Sequence, residues 1–294
     1  MNDLQTISSK RIIRAVILGV MAALCYSVMS LLVKLLVNDT NTSMTVFFRC
    51  MVGLFWISFA LIFKHLRGKR FTIKTKHFGL HFLRAASGFI AILTLYYALR
   101  RVPLADANSL AMTYPLFIPI LGAIFLGTKT NSKNWLALIT GFIGIIFIIK
   151  PYSNTFNPIA LIALITGIAL AVVFLCIHEL AKRNDDPHTI LIYFFILTFI
   201  LSGILAIFSW ETPNLETLID LLLIGLVGAI YQEFLTRSLS YASPKIVSPL
   251  LYLCVVFSGL FDWIFWAHIP DLYFWIGMTL VSFGCIFSIK YAKT

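Results

Sequence analysis

The sequence predicts an all-α integral membrane protein with ten transmembrane helices, arranged as two inverted five-helix repeats. Three observations lead to this prediction: an apolar composition, ten apolar stretches of membrane-spanning length, and a self-match between the two halves of the chain. Of the 294 residues, 60% are hydrophobic and only 12% are charged, and the mean hydropathy is +0.93. Because a soluble domain carries roughly 25% charged residues, this composition favours lipid as the surrounding solvent.

The apolar stretches have the length of membrane-spanning helices, for which about 20 apolar residues suffice. They cover approximately residues 13–37, 44–64, 78–99, 104–126, 134–150, 158–180, 189–209, 218–241, 246–267 and 272–290. Transmembrane β-strands would instead be about 10 residues long with alternating polarity. The connections are also too short to hold a soluble domain.

The basic residues predict the orientation of the chain. With the N-terminus in the cytoplasm, most of the 23 Lys and Arg fall at the cytoplasmic ends of the spans, as the positive-inside rule requires. An even number of spans then places both termini in the cytoplasm, with the chain in the inner (cytoplasmic) membrane. This distribution accounts for the net charge of +11, so the lipid bilayer is the expected partner and nucleic acid is not. The five cysteines occur singly, without metal or disulfide spacing.

Charged side chains mark the first three spans in order. Lys34 lies near the outer end of the first span, where its stem can reach the membrane surface. Arg49 lies about one and a half turns inside the second span. The third span begins with His81 and Arg84 near the cytoplasmic face.

Prolines and glycines mark the later spans. Pro115 and Pro119 lie inside the fourth span, where each removes a backbone donor and is expected to bend the helix. The fifth and tenth spans carry small residues, including Gly144 and Gly277, that allow helix backbones to approach closely. We expect a helix-packing seam at these glycines.

The two halves of the chain repeat each other. The segment from Ser87 to Lys150 returns, at an offset of 140 residues, as Val227 to Lys290. We therefore expect one repeat at residues 1–150 and a second at 151–294. Because five helices is an odd number, the second repeat enters the membrane upside down. Inverted repeats are typical of secondary transporters, which bind cargo near the membrane midplane between the halves and work by alternating access.

Specific residues resemble the EamA domain of the drug/metabolite transporter superfamily. The matching features in the first half are Ala98-Leu99, the basic turn Arg100-Arg101, Ala105 and Ala107, Pro115, the pair Ala137 and Gly144, and Arg49. The second half resembles a second EamA domain from Ser238 to Trp266. The resemblance implies a ten-helix metabolite transporter without ATP-binding machinery, and no phosphate-binding loop motif occurs in the sequence.

One departure concerns the end of the fourth helix. Where the family usually has Gly-Glu, this chain has Gly127-Thr128, with Ala267-His268 at the matching place in the second half. A role that those glutamates have in the family therefore does not transfer to this chain.

Acidic and amide side chains inside the spans are candidates for substrate binding, because polar groups in a membrane are costly and usually functional. Gln232 and Glu233 lie near the middle of the eighth span. Glu233 either lines a cavity or forms a structural ion pair with Arg237, four positions further on. Asp262, in the ninth span, lies either in the outer part of the cavity or in solvent at the outer surface.

Arg49 and two tyrosines complete the predicted substrate-binding set. Arg49 either clamps a cargo carboxylate with its forked guanidinium or contacts helix carbonyls or Asp106. Tyr114 and Tyr252 lie in the matching fourth and ninth spans, where their rings can stack on a planar group or a cation. Further rings are available from Tyr96, Tyr97 and Tyr231.

The expected partner is a small-molecule metabolite. An arginine with acids deeper in the cavity suits a zwitterion, with or without added positive charge. Within the resembled family, S-adenosylmethionine uptake carriers fit this description, with the carboxylate on Arg49, the sulfonium and amine on Glu233 or Asp262, and the adenine on a tyrosine. Export of an amino acid or related metabolite is the alternative.

Two other classes of protein are disfavoured. The sequence has no nucleophile–base pair, metal-ligand spacing or catalytic motif, so neither an enzyme nor a cofactor or metal is expected. Polar residues at the midplane disfavour a non-transporting scaffold. The sequence leaves the oligomeric state and the coupling to protons or exchange open.

Overall fold

The computed structural model describes residues 2–67, 75–126, 132–149, 157–183, 185–242 and 244–291. Throughout these ranges the regular structure is helical. The helices are α1 (Asn2–Leu35), α2 (Thr42–Leu66), α3 (Phe78–Leu99), α4 (Leu104–Ala111), α5 (Tyr114–Leu126), α6 (Ser132–Ile149), α7 (Ile159–Lys182), α8 (Pro187–Phe208), α9 (Leu215–Tyr241), α10 (Pro244–Leu251), α11 (Leu253–Trp266) and α12 (Leu272–Tyr291), with a 3₁₀ turn at Leu36–Asn38. The predicted repeat boundary at 150/151 and the Gly127-Thr128 pair lie outside the described residues.

The helices confirm the ten predicted membrane-spanning stretches. Within the described residues, seven stretches are long and apolar enough to cross a membrane, and one of these joins α4 and α5. Three shorter apolar helices, at Leu138–Ile149, Leu253–Trp266 and Leu272–Gly284, account for the rest. Large apolar side chains such as Phe55, Phe59 and Ile124 are mostly exposed on the outside of the bundle, a pattern that suits contact with lipid.

The fourth and ninth spans are each broken into two helices. Pro115 has no N–H to donate to the carbonyl of Ala111, so α4 ends there and the chain turns at Met112 and Thr113. The Thr113 hydroxyl donates to the Leu110 carbonyl at 2.6 Å and thereby satisfies one acceptor at this break. Pro119 lies inside α5, which continues past it. The second repeat has its break at Tyr252, between α10 and α11.

The packing follows the inverted repeat. Helix α1 of the first repeat packs against α9 of the second, and α7 packs against α3 in the corresponding way. Helices α2 and α8 pack against each other, as do α6 and α12, so equivalent helices meet around a pseudo-two-fold axis. This arrangement is the one expected of inverted repeats related by an axis in the membrane plane.

Hydrogen bonds near the ends of the helices mark the two faces of the bundle. At one face, His77 contacts Arg183 and the Ser238 hydroxyl donates to the Ala15 carbonyl. We call this the basic face, because it carries Arg11, Arg14, Arg67, Lys76, Lys182, Arg183 and Arg237. At the opposite face, Lys34 donates to the Val102 carbonyl. The structure therefore places on one face these seven described residues, which the sequence assigned to one side of the membrane.

The predicted glycine seam joins the two repeats. Helices α6 and α12 approach so closely that a Cβ atom on Gly144 would lie 2.6 Å from the Gly277 carbonyl oxygen. A Cβ atom on Gly277 would lie 2.7 Å from the Gly144 carbonyl oxygen. Both contacts are with backbone, which cannot move aside as a flexible side chain can. The helix-packing seam predicted from the sequence is thus confirmed.

Candidate functional site

A central cavity lies between the two repeats, about midway between the faces. Its walls come from α1, α2 and α3 of the first repeat and from α7, α8 and α9 of the second. The empty space, including its open side, is about 480 Å³. The enclosed part is far narrower and holds only a few water molecules. In this conformation, therefore, the cavity is open on one side and narrow inside.

Arg49 contributes the positive charge of the cavity wall. Its side chain is 4% exposed, and its guanidinium carbon lies 5.6 Å from the centre of the Tyr96 ring. A side chain at Gly228 would place its Cβ 2.8 Å from the Arg49 Nε, so the glycine leaves room for the guanidinium. Within the described ranges, that Nε finds no hydrogen-bond acceptor. Buried charges are normally paired, so Arg49 is a cavity-lining residue with an unsatisfied donor.

Three tyrosines supply the aromatic wall of the cavity. The Tyr26 and Tyr231 rings meet edge to face, with centroids 5.1 Å apart, and Tyr96 lies beneath the Arg49 guanidinium. The hydroxyls of Tyr26 and Tyr96 have no partner among the residues that the structure describes. Sequence reasoning missed Tyr26, whose only signal was a tyrosine in the middle of the first span.

The predicted tyrosines, Tyr114 and Tyr252, are not among the residues that line the cavity. Tyr114 is 1% exposed and stacks on Phe174, with ring centroids 4.3 Å apart, and it is Phe174 that faces the cavity. Tyr252 lies half-buried at the break between α10 and α11. Tyr114 thus packs against a residue that lines the cavity but does not line the cavity itself.

Gln232 and Glu233 are neighbours that point in different directions. Successive helix residues are rotated by about 100°, and Gln232 lines the cavity while Glu233 does not. Glu233 instead accepts a hydrogen bond from the Trp56 Nε1–H at 2.6 Å and forms an ion pair with Arg237. This geometry favours the structural ion pair, the second of the two alternatives that the sequence allowed.

The Glu233 contacts predict a loss of stability. Replacing Glu233 by Ala should lower the free energy of unfolding by about 1–3 kcal/mol, because a charge-assisted hydrogen bond and the Arg237 partner are lost. Trp56→Phe should cost a similar amount, and the double variant less than the sum, since both changes remove one interaction. Thermal unfolding of the purified protein would measure these effects.

Glu179→Ala is the matched control, because its i,i+4 pair with Arg183 is partly exposed and worth at most about 1 kcal/mol. If Glu233→Ala left stability unchanged but stopped transport, Glu233 would act on the cargo instead.

Asp262 lies outside the cavity, where it binds the start of a helix in the other repeat. Its carboxylate accepts hydrogen bonds from the backbone N–H groups of Leu104 and Ala105, at 3.1 Å and 2.7 Å, at the N-terminal end of α4. Lys34 adds an ion pair at 3.6 Å. Because a helix N-terminus favours a nearby anion, these contacts fully engage the carboxylate. At 1% exposure Asp262 is not solvated, and it does not line the cavity, so it takes neither of the two positions that the sequence allowed.

A second buried arginine was missed by sequence reasoning. Arg84, which the sequence places near the cytoplasmic face, has a side chain that is 0% exposed. Its guanidinium carbon lies 3.8 Å from the centre of the Phe194 ring, and Phe194 lines the cavity. A signal was available, because intramembrane arginines face the bundle interior almost without exception. Within the described residues, no group of three or more His, Cys, Asp or Glu could hold a metal ion.

Comparisons with known proteins agree with the fold. The EamA-like transporter family matches residues 13–150 and 157–290, which correspond to the two repeats. A solved structure described as "Crystal structure of protein" superimposes with a TM-score of 0.63 at 18% identity, over 93% of this chain and 97% of that one. This structural likeness shows the fold alone.

Named relatives carry different cargo. The pseudopaline exporter of Pseudomonas aeruginosa is 29% identical over 92% of this chain and 94% of its own length. The riboflavin transporter of Brucella anthropi is 30% identical over 74% of this chain and 78% of its own. The S-adenosylmethionine uptake transporter of Rickettsia felis is 28% identical over 74% of both. Their names differ in cargo and in direction, but each is a transporter of a small metabolite. This chain, a multi-pass membrane protein and not an enzyme, belongs to the EamA-like transporter family.

Proposed function

We propose that this chain moves a small carboxylate-bearing metabolite across the inner membrane by alternating access, with both termini in the cytoplasm. The observation that carries the proposal is Arg49, a buried guanidinium with an unsatisfied nitrogen in a cavity between two inverted repeats. A guanidinium can bind both oxygens of a carboxylate at once. The basic face would be the cytoplasmic one, because basic residues concentrate on that side of membrane proteins.

The narrow cavity supports alternating access. Its enclosed part is too small for a metabolite in this conformation, so the two repeats must move apart on one side before cargo enters. The α6–α12 seam holds the repeats together by backbone contact at Gly144 and Gly277. Rocking of the remaining helices around this seam would open the cavity first to one face and then to the other.

S-adenosylmethionine is the first cargo to test. Its carboxylate would bind Arg49 and its adenine would stack on one of the cavity tyrosines. The sequence assigned its positive groups to Glu233 or Asp262, but both of these acids are engaged elsewhere. The sulfonium would therefore lie against the ring faces of Tyr26, Tyr96 or Tyr231, which attract cations.

An uptake measurement tests this cargo. Cells that express the chain are expected to accumulate labelled S-adenosylmethionine above the empty-vector level, and Arg49→Met should remove the excess. The methyl ester should compete poorly, because esterification removes the anionic group that Arg49 binds. Accumulation equal to the empty vector would exclude this cargo while leaving the transporter class intact.

Export of an amino acid or related metabolite is the second candidate. It is supported by the likeness to the pseudopaline exporter, which extends over 92% of this chain. Expressing cells would then resist toxic amino-acid analogues, and inside-out vesicles would accumulate the cargo. Neither effect is expected if the chain works only in uptake.

A further inference from the structure

Arg84 is a buried charge without a partner in the described part of the chain. Its Nε and both terminal nitrogens lie fully buried, and none of the three has a hydrogen-bond acceptor within the described residues. Arg101 provides a comparison, because its guanidinium carbon also lies 3.8 Å from the centre of an aromatic ring, that of Tyr97. Unlike Arg84, Arg101 is exposed and donates a hydrogen bond to the Tyr97 carbonyl. A guanidinium in an apolar interior is costly unless an anion pairs with it. The missing anion must therefore come from outside this part of the chain.

Among the residues that the structure describes, no acidic side chain bonds to the Arg84 guanidinium. The side chains near its guanidinium include Cys176, Tyr231 and His81. The carboxylate of Asp185 is engaged, because it contacts the His81 Nε2 at 2.8 Å and accepts from the Thr75 hydroxyl at 2.9 Å.

Arg84 lies between the central cavity and the basic face. Gly88, one turn further along α3, lines the cavity, and its missing side chain lets the Phe194 ring lie against the helix. Phe194 lines the cavity and also packs against the Arg84 guanidinium. The Phe194 ring therefore contacts both the cavity and Arg84. Tyr231 lies near both Arg49 and Arg84.

We propose that Arg84 is a second carboxylate-binding site, on the path between the central cavity and the basic face, which receives the cargo carboxylate after Arg49 when the Phe194 ring turns aside. This inference rests on the proposed function, since it assumes that Arg49 binds a carboxylate first. Two guanidiniums in succession would lower the cost of carrying one anionic group through the apolar interior.

The first test measures the thermal stability of the ligand-free protein. Arg84→Met replaces the guanidinium by an apolar side chain of similar length, and Arg101→Met is the matched control. Arg84→Met should raise the Tm by at least about 2 °C, because it removes an uncompensated buried charge. Arg101→Met should change the Tm little. A fall in the Tm larger than that of the control would show that Arg84 holds the fold together, and would overturn the proposal.

The second test uses acetate, a bare carboxylate small enough for a narrow cavity. Acetate is titrated at constant ionic strength, and uncharged acetamide serves as the control compound. Acetate should raise the Tm of the wild type, raise it less in Arg49→Met and in Arg84→Met, and have no effect in the double variant. An unchanged response in Arg84→Met overturns this inference alone. An unchanged response in Arg49→Met overturns the proposed function. If phosphatidylglycerol, and not acetate, gives the Arg84-dependent rise, the ligand is a lipid phosphate and the proposal is wrong.

Discussion

Replacing Arg49 by Gln is expected to abolish transport while leaving the protein folded in the membrane. The variant removes the forked donor that faces the cavity but keeps a polar side chain. Loss of one partner of a buried charge-assisted pair costs about 2–5 kcal/mol, which corresponds to a fall in cargo affinity of at least about thirtyfold. Binding to the purified protein and uptake per folded molecule would both measure the effect.

Arg49→Lys separates charge from geometry. Lysine keeps the positive charge but cannot bind both carboxylate oxygens in a fork, so partial activity is expected. Arg101→Gln, at the exposed end of α3, should transport normally. If Arg49→Gln instead failed to yield folded protein while Arg49→Lys folded and transported normally, the Tyr96 contact would be the main role of Arg49, and the carboxylate clamp would be wrong.

Replacing Gly144 by Ala is expected to cause a large loss of folded protein. The new Cβ would lie 2.6 Å from the Gly277 carbonyl oxygen and 2.7 Å from the Val281 backbone nitrogen. Because α12 must move as a whole to relieve these contacts, the cost should reach or exceed the usual 1–3 kcal/mol of overpacking. Gel-filtration yield and thermal unfolding in detergent would measure it.

Gly79→Ala is the matched control for the seam. A Cβ atom there meets nothing within 4 Å, and Ala is favoured over Gly in a helix by about 1 kcal/mol. The control should therefore be neutral or slightly stabilising. If Gly144→Ala were as stable as Gly79→Ala, helices α6 and α12 would not be held in the close contact described above.

The limits of the spans were predictable to within a few residues. The third span was predicted at 78–99 and α3 runs from Phe78 to Leu99, because His77 and the Arg100-Arg101 pair bound an apolar run. The glycine seam was predictable for a related reason, since small residues in an apolar helix have few uses other than close packing. Such features depend on the local composition of the chain.

The direction in which each polar side chain points was not predictable. Gln232 and Glu233 are adjacent in sequence, yet one lines the cavity and the other binds Trp56 on α2. Asp262 accepts hydrogen bonds from the backbone of α4, which lies more than a hundred residues away in the sequence. The sequence predicted a possible ion pair for Glu233 within its own helix. It did not indicate the hydrogen bond to Trp56 in the other repeat.

The amino-acid sequence by itself determined that the chain crosses the membrane ten times as two inverted repeats, because the length and polarity of each span and their self-match are local properties. Only the tertiary structure decided that Arg49 and Arg84 are buried with unsatisfied nitrogens while Glu233 and Asp262 are engaged. The physical reason is that the free energy of a charge in lipid depends on the charges and hydrogen-bond partners around it. That neighbourhood is made by helices distant in sequence.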